Sequence, residues 1–390
     1  MTQAPILLTF LLAVTTFINA QNGSGSTTCT DDIKLNNNYS KADSLRSIIT
    51  RYAAAGIPGI SIAIYSEQEG WWAGAAGYAR LEDKTPMDIC HLHYTQSISK
   101  SYMAVVIMKL QELGKIKYDE PMTTYLPTRY SKYVKDPSRV TVRMLLNHTS
   151  GIPDYAVDPK FVGLVMNHPL QYQTSDDCLK SVSLQPFTFE PGSDYKYSNT
   201  NYLLLALIAD KISGDHTALV DQYIFKPLGI KNTFYKNGHD YLDGKYTTDS
   251  YWDIIGEGHP TNVSQMQKVN VASLKGDDGM AAAPTDVVKY LKGLMEGKLL
   301  SPESMKELTN WVHDKSGKPR YGMGLIHFQL GETVAYGHGG GGIGSSCMML
   351  YIPSKNTYAF FSTNVGVLTE NDLVRKIDAL KNELLATILR

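Results

Sequence analysis

The stretch Ser97-Ile-Ser-Lys-Ser-Tyr-Met-Ala-Val-Val-Ile-Met-Lys-Leu-Gln-Glu-Leu113 predicts both a central helix of the fold and a reactive group at its start. Positions from Tyr102 to Leu113 are mostly apolar, which is typical of a helix buried on most of its sides, and Gly114 is a typical helix end. Ser97 and Lys100 are one helical turn apart, so they share a face near the N-terminus of this helix.

The pair of Ser97 and Lys100 has a chemical use. A serine hydroxyl is a weak nucleophile until a base accepts its proton, and burial lowers the pKa of a lysine towards that role. The N–H groups at a helix N-terminus also stabilise a developing oxyanion. The same spacing recurs at Ser193 and Lys196, inside a Pro-Gly turn with no buried helix after it. Only the first pair therefore has a buried helix as its setting. Taken alone, however, even this pair fits better with a capping serine and a lysine whose amine reaches solvent.

Periodic patterns on both sides of this segment predict the remaining elements. Helices are predicted over 44–55, 140–146, 202–212, 284–294 and 371–389, and strands over 59–65, 71–79, 321–330, 333–338, 345–352 and 357–363. The first two strands form a hairpin, and the last four run antiparallel in succession. No continuous strand pattern occurs between residues 119 and 275.

Strands near both chain ends with helices between them predict an α/β (α+β) fold with two lobes. Residues 39–96 and 276–390 form the predicted α/β sheet lobe, in which an antiparallel sheet is flanked by terminal helices. Residues 97–275 form an inserted, mostly helical lobe. Ser97 then lies where the two lobes meet.

Composition restricts the class of protein. The chain has 390 residues, of which 43% are hydrophobic and 19% charged, and this predicts a globular protein with a sizeable core. A net charge of −1 argues against a nucleic-acid partner. The four cysteines are too far apart for a CxxC motif and allow three complete pairings, among which the sequence does not choose: Cys29, Cys90, Cys178 and Cys347.

The N-terminal region predicts export. Residues 1–20 contain the apolar run from Pro5 to Ala20 and have the character of a signal peptide, although no Lys or Arg precedes the run. Residues 21–38 are rich in Ser, Thr, Gly and Asn and predict a flexible leader. No later segment is apolar over the roughly 20 residues that a membrane span needs. We therefore expect a periplasmic or secreted protein without a membrane span once the signal is removed.

Two further motifs change the interpretation of the serine–lysine pair. Tyr197-x-Asn199 follows a Pro-Gly turn, and His338-x-Gly340 ends a predicted strand. In the order Ser97-x-x-Lys100, Tyr197-x-Asn199, His338-x-Gly340, the motifs resemble the signature of the serine β-lactamase and penicillin-binding-protein superfamily. The resemblance covers about residues 40 to 385. It is nearest to the class C β-lactamase-like branch and, within it, to the secreted D-alanyl-D-alanine carboxypeptidases.

The resemblance implies a role for each motif residue. Ser97 would attack an acyl carbonyl, Lys100 and Tyr197 would move the proton, and Asn199 would orient the substrate amide. The backbone N–H groups of Ser97 and Gly341 would form the oxyanion hole, and His338 and Gly340 would belong to the substrate-binding strand. The implied substrate is a small molecule or peptide, namely acyl-D-Ala-D-Ala, a β-lactam or an ester. The resemblance implies no cofactor and no metal.

The third motif departs from the Lys-Thr-Gly of many β-lactamases. His338 is mostly neutral at pH 7, and neither Gly339 nor Gly341 supplies a hydroxyl. These changes argue against efficient β-lactam hydrolysis. Three activities remain open: a carboxypeptidase, an aminopeptidase acting on D-residues and an esterase. The alternative of another class is a non-catalytic penicillin- or peptidoglycan-binding protein.

Two other clusters are candidate sites. His91 and His93 alternate beside Cys90, but no third metal ligand follows at a motif spacing. Asp277-Asp278 lies in a stretch where members of the family have small residues, and we expect this pair at the edge of the cleft.

Overall fold

The computed structural model describes residues 28–30, 32–236 and 238–390. Its strands are β1 (Gly59–Ser66), β2 (Gly70–Arg80), β3 (Thr85–Pro86), β4 (His93–Tyr94), β5 (Thr233–Tyr235), β6 (Tyr251–Trp252), β7 (Thr261–Asn262), β8 (Met280–Ala282), β9 (Val312–His313), β10 (Pro319–Tyr321), β11 (Ile326–Leu330), β12 (Thr333–Gly341), β13 (Ser346–Ile352) and β14 (Thr357–Thr363). Nine of them form one sheet in the order β3-β2-β1-β14-β13-β12-β11-β10-β9, and the pairs within it are antiparallel.

The helices are α1 (Ala42–Ala54), α2 (Ser99–Glu112), α3 (Thr128–Ser131), α4 (Val142–Leu146), α5 (Pro159–Asn167), α6 (Ser175–Ser181), α7 (Asn199–Ser213), α8 (His216–Val220), α9 (Lys226–Leu228), α10 (Ser264–Ser273), α11 (Pro284–Met295), α12 (Pro302–Leu308) and α13 (Asp372–Leu389). Helices α2 and α7 are apolar around most of their circumference, and both lie inside the molecule with most of their residues buried.

The sheet is covered on both faces. The amphipathic helices α1 and α13 bury Leu45 and Leu384 against one face, where they meet Ile62 of β1. The other face contacts the large core that contains α2, α7 and α11. Because β1 and β14 are covered on both sides, nearly all of their residues are buried. The predicted α/β fold, with an antiparallel sheet flanked by terminal helices, is confirmed.

One predicted strand was wrong. Residues 321–330 were expected to form a single strand, but the chain turns between β10 and β11, where the amide of Gly322 donates to the carbonyl of Leu325 over 2.9 Å. Gly324 has a φ of 81° in this turn, and a Cβ there would come within 2.5 Å of the Cβ of Ala104 on α2. The strand breaks because its backbone passes against the central helix.

Residues 97–275 also contain strands that their sequence did not indicate. β5 pairs with β8, and β8 pairs with β4, so this small sheet joins residues from both sides of the predicted lobe boundary. Strands of two or three residues carry too little periodicity to be recognised. Within the described residues of this segment, helices nevertheless comprise far more residues than the strands, which are β5, β6 and β7.

The sequence predicted a flexible leader over residues 21–38. The part of it that the structure describes is bonded to the sheet lobe. Cys29 forms a disulfide with Cys90, and the amide of Asn36 donates to the carbonyl of Trp71 over 2.7 Å. These bonds hold residues 28–30 and 32–38 against the sheet lobe. The predicted signal peptide, 1–20, lies outside the described residues. Cys178 and Cys347 are free and buried.

Among the helices that the structure describes, none combines the length and the apolar character needed to cross a membrane.

Candidate active site

Ser97 lies at the entrance of the central helix. It belongs to a 3-10 turn, Gln96–Ile98, that continues directly into α2. Gln96 has a φ of 50°, in the left-handed region that non-glycine residues rarely adopt. The side chain of Gln96 is buried, whereas Ser97 is only half-buried. The strained turn thus presents the Ser97 hydroxyl at the N-terminal end of a rigid helix.

Lys100 lies fully buried beneath that hydroxyl. Its Nζ atom is 3.0 Å from Oγ of Ser97 and donates to the backbone carbonyl of Asp277 over 2.8 Å. Burial lowers the pKa of Lys100, because the charged amine loses its hydration, while the negative charges of nearby carboxylates act in the opposite direction. An amine with a lowered pKa next to a serine hydroxyl can accept the hydroxyl proton.

Tyr197, from the second motif, lies beside Lys100. Its ring centroid is 5.1 Å from Nζ of Lys100, and its phenol oxygen is buried without a hydrogen-bond partner among the described residues. Burial raises the pKa of Tyr197 well above its usual value, and the nearby Ser97 hydroxyl acts in the opposite direction. The Tyr197 ring packs against the His148 ring, and the two ring centroids are 4.3 Å apart. Tyr197 is therefore a protonated phenol positioned beside the serine–lysine pair.

Asn199 begins α7, two residues after Tyr197. Its Nδ2 donates to Oδ2 of Asp154 over 2.9 Å, and its backbone amide donates to Oδ1 of the same carboxylate over 3.1 Å. The Asp154 carboxylate thus fixes the orientation of the Asn199 amide. Because Nδ2 is engaged, the carbonyl oxygen of Asn199 is the side-chain atom that can accept a further hydrogen bond.

His338 is placed by β12 and is almost completely buried, with 1% of its surface exposed. Its Nδ1 is 2.6 Å from the carbonyl oxygen of Gly339, so Nδ1 carries the proton. Its Nε2 is 3.0 Å from the hydroxyl of Tyr321 and accepts from it. Burial lowers the pKa of His338 to about 3. The predicted neutral state follows from this burial, and the ring forms part of the wall of the site.

The glycines after His338 let the strand approach the serine turn. A Cβ on Gly340 would lie 2.4 Å from the carbonyl oxygen of Thr95 and 2.6 Å from Sγ of Cys347, so no larger residue fits without movement. A Cβ on Gly339 would meet only the carbonyl oxygen of Cys347, at 3.9 Å. Gly341 is exposed at the end of β12. The backbone of this strand is therefore available to a substrate that lies beside Ser97.

The prediction for Asp277-Asp278 was wrong. Both residues are buried below Lys100 rather than exposed at the cleft edge. Oδ2 of Asp277 accepts a hydrogen bond from the hydroxyl of Tyr155 over 2.7 Å, and burial raises the pKa of Asp277 to about 6. The pair is part of the electrostatic surroundings of Lys100.

Among the described residues, the His91–His93 cluster does not bring together three possible metal ligands. Nδ1 of His91 accepts from the amide of Asp88, and Nε2 of His93 is 2.9 Å from the hydroxyl of Ser61, while the neighbouring Cys90 is in a disulfide. Another group of possible ligands in the described residues comprises Asp210, Asp215 and His216. There Nζ of Lys275 already bonds to Asp210 over 2.8 Å.

The structure brings all three predicted motifs to one site. Ser97, Lys100 and Tyr197 are in direct proximity, the ring of His338 lies 6.1 Å from that of Tyr197, and Gly340 passes against the turn that precedes Ser97. Sequence reasoning missed the residues that support these groups: Asp154, Tyr155 and Tyr321. The stretch Leu145-Leu-Asn-His-Thr-Ser-Gly-Ile-Pro153 also resembles the family, and Asp154 follows it directly, which was the available signal for this residue.

The chain is similar to several known proteins. A family model described as Beta-lactamase matches residues 45–381. Penicillin-binding protein 4* of Bacillus subtilis (strain 168) is 29% identical over 299 residues, which covers 73% of this chain and 64% of that protein. A putative D-alanyl-D-alanine carboxypeptidase of Escherichia coli (strain K12) is 23% identical over 210 residues, covering 51% of this chain and 48% of that protein.

A D-stereospecific amidohydrolase from Streptomyces sp. has a similar structure, with a TM-score of 0.72 and 25% identity over 83% of this chain and 94% of that one. The fold and the three motifs are similar to those of the penicillin-binding-protein and β-lactamase class of proteins. The chain belongs to the Beta-lactamase family, and the resemblance predicted from its motifs is confirmed. It spans between about half and two thirds of the length of the first curated relatives that it matches.

Proposed function

We propose that this protein is a serine hydrolase that forms an acyl-enzyme intermediate at Ser97, with acyl-D-Ala-D-Ala-type peptides as the substrate model. The observation that carries this proposal is the 3.0 Å contact between Nζ of the fully buried Lys100 and Oγ of Ser97. A binding protein has no need for an amine that is desolvated beneath a nucleophile. The contact therefore favours catalysis over the non-catalytic alternative.

In the proposed reaction the hydroxyl proton of Ser97 passes to Lys100 while Oγ attacks the substrate carbonyl. The C–O bond of the acyl-enzyme forms, and the bond to the leaving group breaks. Tyr197, whose raised pKa keeps its proton in place, is suited to protonate the departing group. Tyr197 then recovers a proton from Lys100. Water hydrolyses the acyl-enzyme by the same steps in reverse, which releases the acid and restores Ser97.

The oxyanion that forms during attack needs fixed donors. The backbone N–H groups of Ser97 and Gly341 are the proposed pair, because the glycine-rich end of β12 passes directly beside the serine turn. Removal of one such donor typically costs about 3 to 4 kcal/mol in the transition state. The strained backbone at Gln96 is consistent with a turn that is held in place for this purpose.

D-alanyl-D-alanine carboxypeptidase activity is the first candidate, since the motif pattern is nearest to those enzymes and the E. coli relative carries that name as a putative assignment. An esterase or a weak β-lactamase on the same fold is the second candidate. It is favoured by one observation, namely that His338 is a buried neutral group where many β-lactamases have lysine.

We also propose that the protein is exported to the periplasm or secreted. The disulfide between Cys29 and Cys90 supports this, because such bonds persist in oxidising compartments. Fractionation of cells that express the full chain tests the proposal. Recovery of the processed protein outside the cytoplasm is expected, and an unprocessed, reduced cytoplasmic protein would refute it.

The enzymatic proposal is tested on one preparation with three substrates: a D-alanyl-D-alanine peptide, nitrocefin and a short-chain p-nitrophenyl ester. We expect turnover of the peptide or the ester, weak opening of nitrocefin, and loss of all activity in Ser97→Ala. Absence of turnover and of any covalent adduct with fluorescent penicillin would refute the proposal in favour of a binding protein.

A further inference from the structure

Four consecutive glycines, Gly339 to Gly342, form the end of β12 and the start of the turn that follows it. This glycine segment contains Gly341, whose N–H is one of the two proposed oxyanion donors. A glycine has no side chain to anchor its backbone, and it loses more conformational freedom on folding than any other residue. A fixed donor at this point therefore requires contacts from neighbouring elements.

Gln96 supplies the contact on the face of the segment that meets the serine turn. The Cβ atom of Gln96 lies 3.0 Å from the position of a Cβ on Gly340, and its Oε1 and Nε2 atoms lie 2.5 Å and 2.9 Å from that of a Cβ on Gly342. The side chain is 3% exposed, and Nε2 has no hydrogen-bond partner among the described residues. Gln96 thus lies along two of the glycines, and Nε2 contributes packing rather than a hydrogen bond.

Val367 contacts the opposite face of the segment. Because successive positions of a strand point to opposite faces, Gly341 points away from the side that Gln96 covers. A Cβ on Gly341 would come within 2.8 Å of Cγ2 of Val367. The amide of Val367 also donates to the carbonyl of Gly342 over 3.1 Å. The methyl group of Val367 therefore packs directly on the residue that carries the proposed donor.

The loop that carries Val367 is itself held in place. The amide of Gly366 donates to the carbonyl of Tyr251 over 2.7 Å, and the amide of Tyr251 donates to the carbonyl of Asn364 over 2.9 Å. A Cβ on Gly366 would overlap the carbonyl oxygen of Ile343, so this loop passes directly against the turn after the glycine segment. The contact from Val367 thus comes from a fixed support.

We propose that Gln96 and Val367 are positioning residues that hold the glycine segment between them and so fix the N–H of Gly341 for the oxyanion. A donor that is already in place needs no reorganisation when charge develops, which is why its position affects the rate. This inference rests on the proposed acyl-enzyme function. It concerns the rate of the chemical steps and applies equally to a peptide and an ester substrate.

Val367→Ala tests the outer contact, since it removes Cγ2 and keeps the backbone bond to Gly342. We expect kcat for a p-nitrophenyl ester to fall by about tenfold, which is part of the roughly 100- to 1,000-fold loss that follows removal of a whole oxyanion donor. KM should change by less than about threefold, because the contact acts in the transition state. Burst and steady-state rates should fall together, since acylation and deacylation both form the oxyanion.

Two variants provide controls for Val367→Ala. Val367→Thr keeps the Cγ2 methyl group, and the hydroxyl is tolerated at this half-buried position, so it should recover most of the rate. Leu368→Ala removes the neighbouring side chain, which is 59% exposed, and should keep the wild-type kcat. The burst amplitude counts the functional sites, so each rate is expressed per site and a change in folded fraction does not affect it.

Two substitutions of Gln96 separate positioning from stability. Gln96→Ala and Gln96→Gly both remove the side chain that packs on Gly342, but only glycine relieves the backbone at its φ of 50°. We expect a low kcat in both variants and a higher Tm in the glycine variant. Gln96→Met restores a side chain of similar length and should recover most of the rate. A merely structural role would instead make kcat follow Tm.

The double variant Gln96→Ala with Val367→Ala tests whether the two residues act on one segment. Once one contact is lost the glycines are already free, so the combined loss in kcat should be smaller than the product of the single losses. Losses that multiply fully, or a wild-type kcat in both single alanine variants, would overturn this inference and leave the proposed function standing. A wild type that forms no acyl-enzyme with the ester or with fluorescent penicillin would overturn the proposed function, and this inference with it.

Discussion

Nζ of Lys100 lies 3.0 Å from Oγ of Ser97 at a position with no solvent exposure, although these residues are only three apart in sequence. The proximity follows from the helical turn they share, whereas the burial follows from the packing of α2 between the sheet and α7. These two features together make the pair chemically useful, because neither spacing nor burial alone produces a base beside a nucleophile.

The first prediction concerns this pair. Lys100→Met keeps the length and apolar character of the side chain but removes the base, so we expect acylation to fall by about 100-fold to 10,000-fold. Substrate binding should be retained, because Lys100 lies beneath Ser97. Burst kinetics with an activated ester measure the effect, and Lys196→Met, in the second copy of the motif, is the control. Equal losses in the two variants would refute the assignment.

The second prediction concerns the approach of β12 to the serine turn. A methyl group at Gly340 would clash with the carbonyl of Thr95, at 2.4 Å, so Gly340→Ala should lower stability by about 1 to 3 kcal/mol and lower activity. Gly339→Ala is the matched control, because its methyl group has space. Thermal unfolding and ester turnover are the measurements. Identical behaviour of the two variants would contradict the close approach.

The third prediction concerns pH. If neutral Lys100 is the base, activity falls as pH drops through its pKa. The carboxylate of Asp277 raises that pKa, so Asp277→Asn should move the acid limb of kcat/KM to lower pH, by about one unit. The backbone carbonyl that binds Lys100 remains in the variant, and Asp154 and Asp278 still face the amine.

Asp286→Asn is the control for this shift, since Asp286 is also buried but bonds to the backbone of Asn232. Its acid limb should coincide with that of the wild type when a neutral ester is the substrate. If the acid limb of kcat/KM moved to higher pH in Asp277→Asn, the carboxylate of Asp277 would not be raising the pKa of Lys100, which would contradict the prediction.

The fourth prediction concerns the disulfide. Cys29 and Cys90 are 61 residues apart, and a cross-link that closes a loop of this length stabilises a protein by about 4 kcal/mol in the chain-entropy model. Thermal unfolding with and without a reductant should show the loss. The double variant Cys29→Ala with Cys90→Ala should be insensitive to the reductant, and a wild type that is equally insensitive would mean that the bond does not form.

The sequence predicted the main elements because their periodicity is local. The apolar residues of α13 and the alternation in β13 and β14 are readable without any tertiary information, and each was predicted within a few residues. The three motifs were found because their order matched a known family. Strand β10 was misplaced because its end depends on the contact of Gly324 with α2, which no local pattern encodes.

The surroundings of the site were harder to predict than its motifs. Gly276-Asp-Asp-Gly279 has the composition of a polar surface turn, yet both aspartates are buried, and Asp277 accepts a hydrogen bond from Tyr155, a residue 122 positions away. The full burial of His338 likewise depends on Tyr321 from another strand. Such long-range packing determines which groups are charged, and charge in turn determines which substrates fit.

Rapid acid quench of the protein with an N-acetyl-D-alanyl p-nitrophenyl ester, followed by peptide mapping by mass spectrometry, tests the central claim most directly. The account predicts one added acyl group on the peptide that contains Ser97, and no such adduct in Ser97→Ala. An acyl group on a different residue, or ester turnover at the wild-type rate in Ser97→Ala, would contradict it.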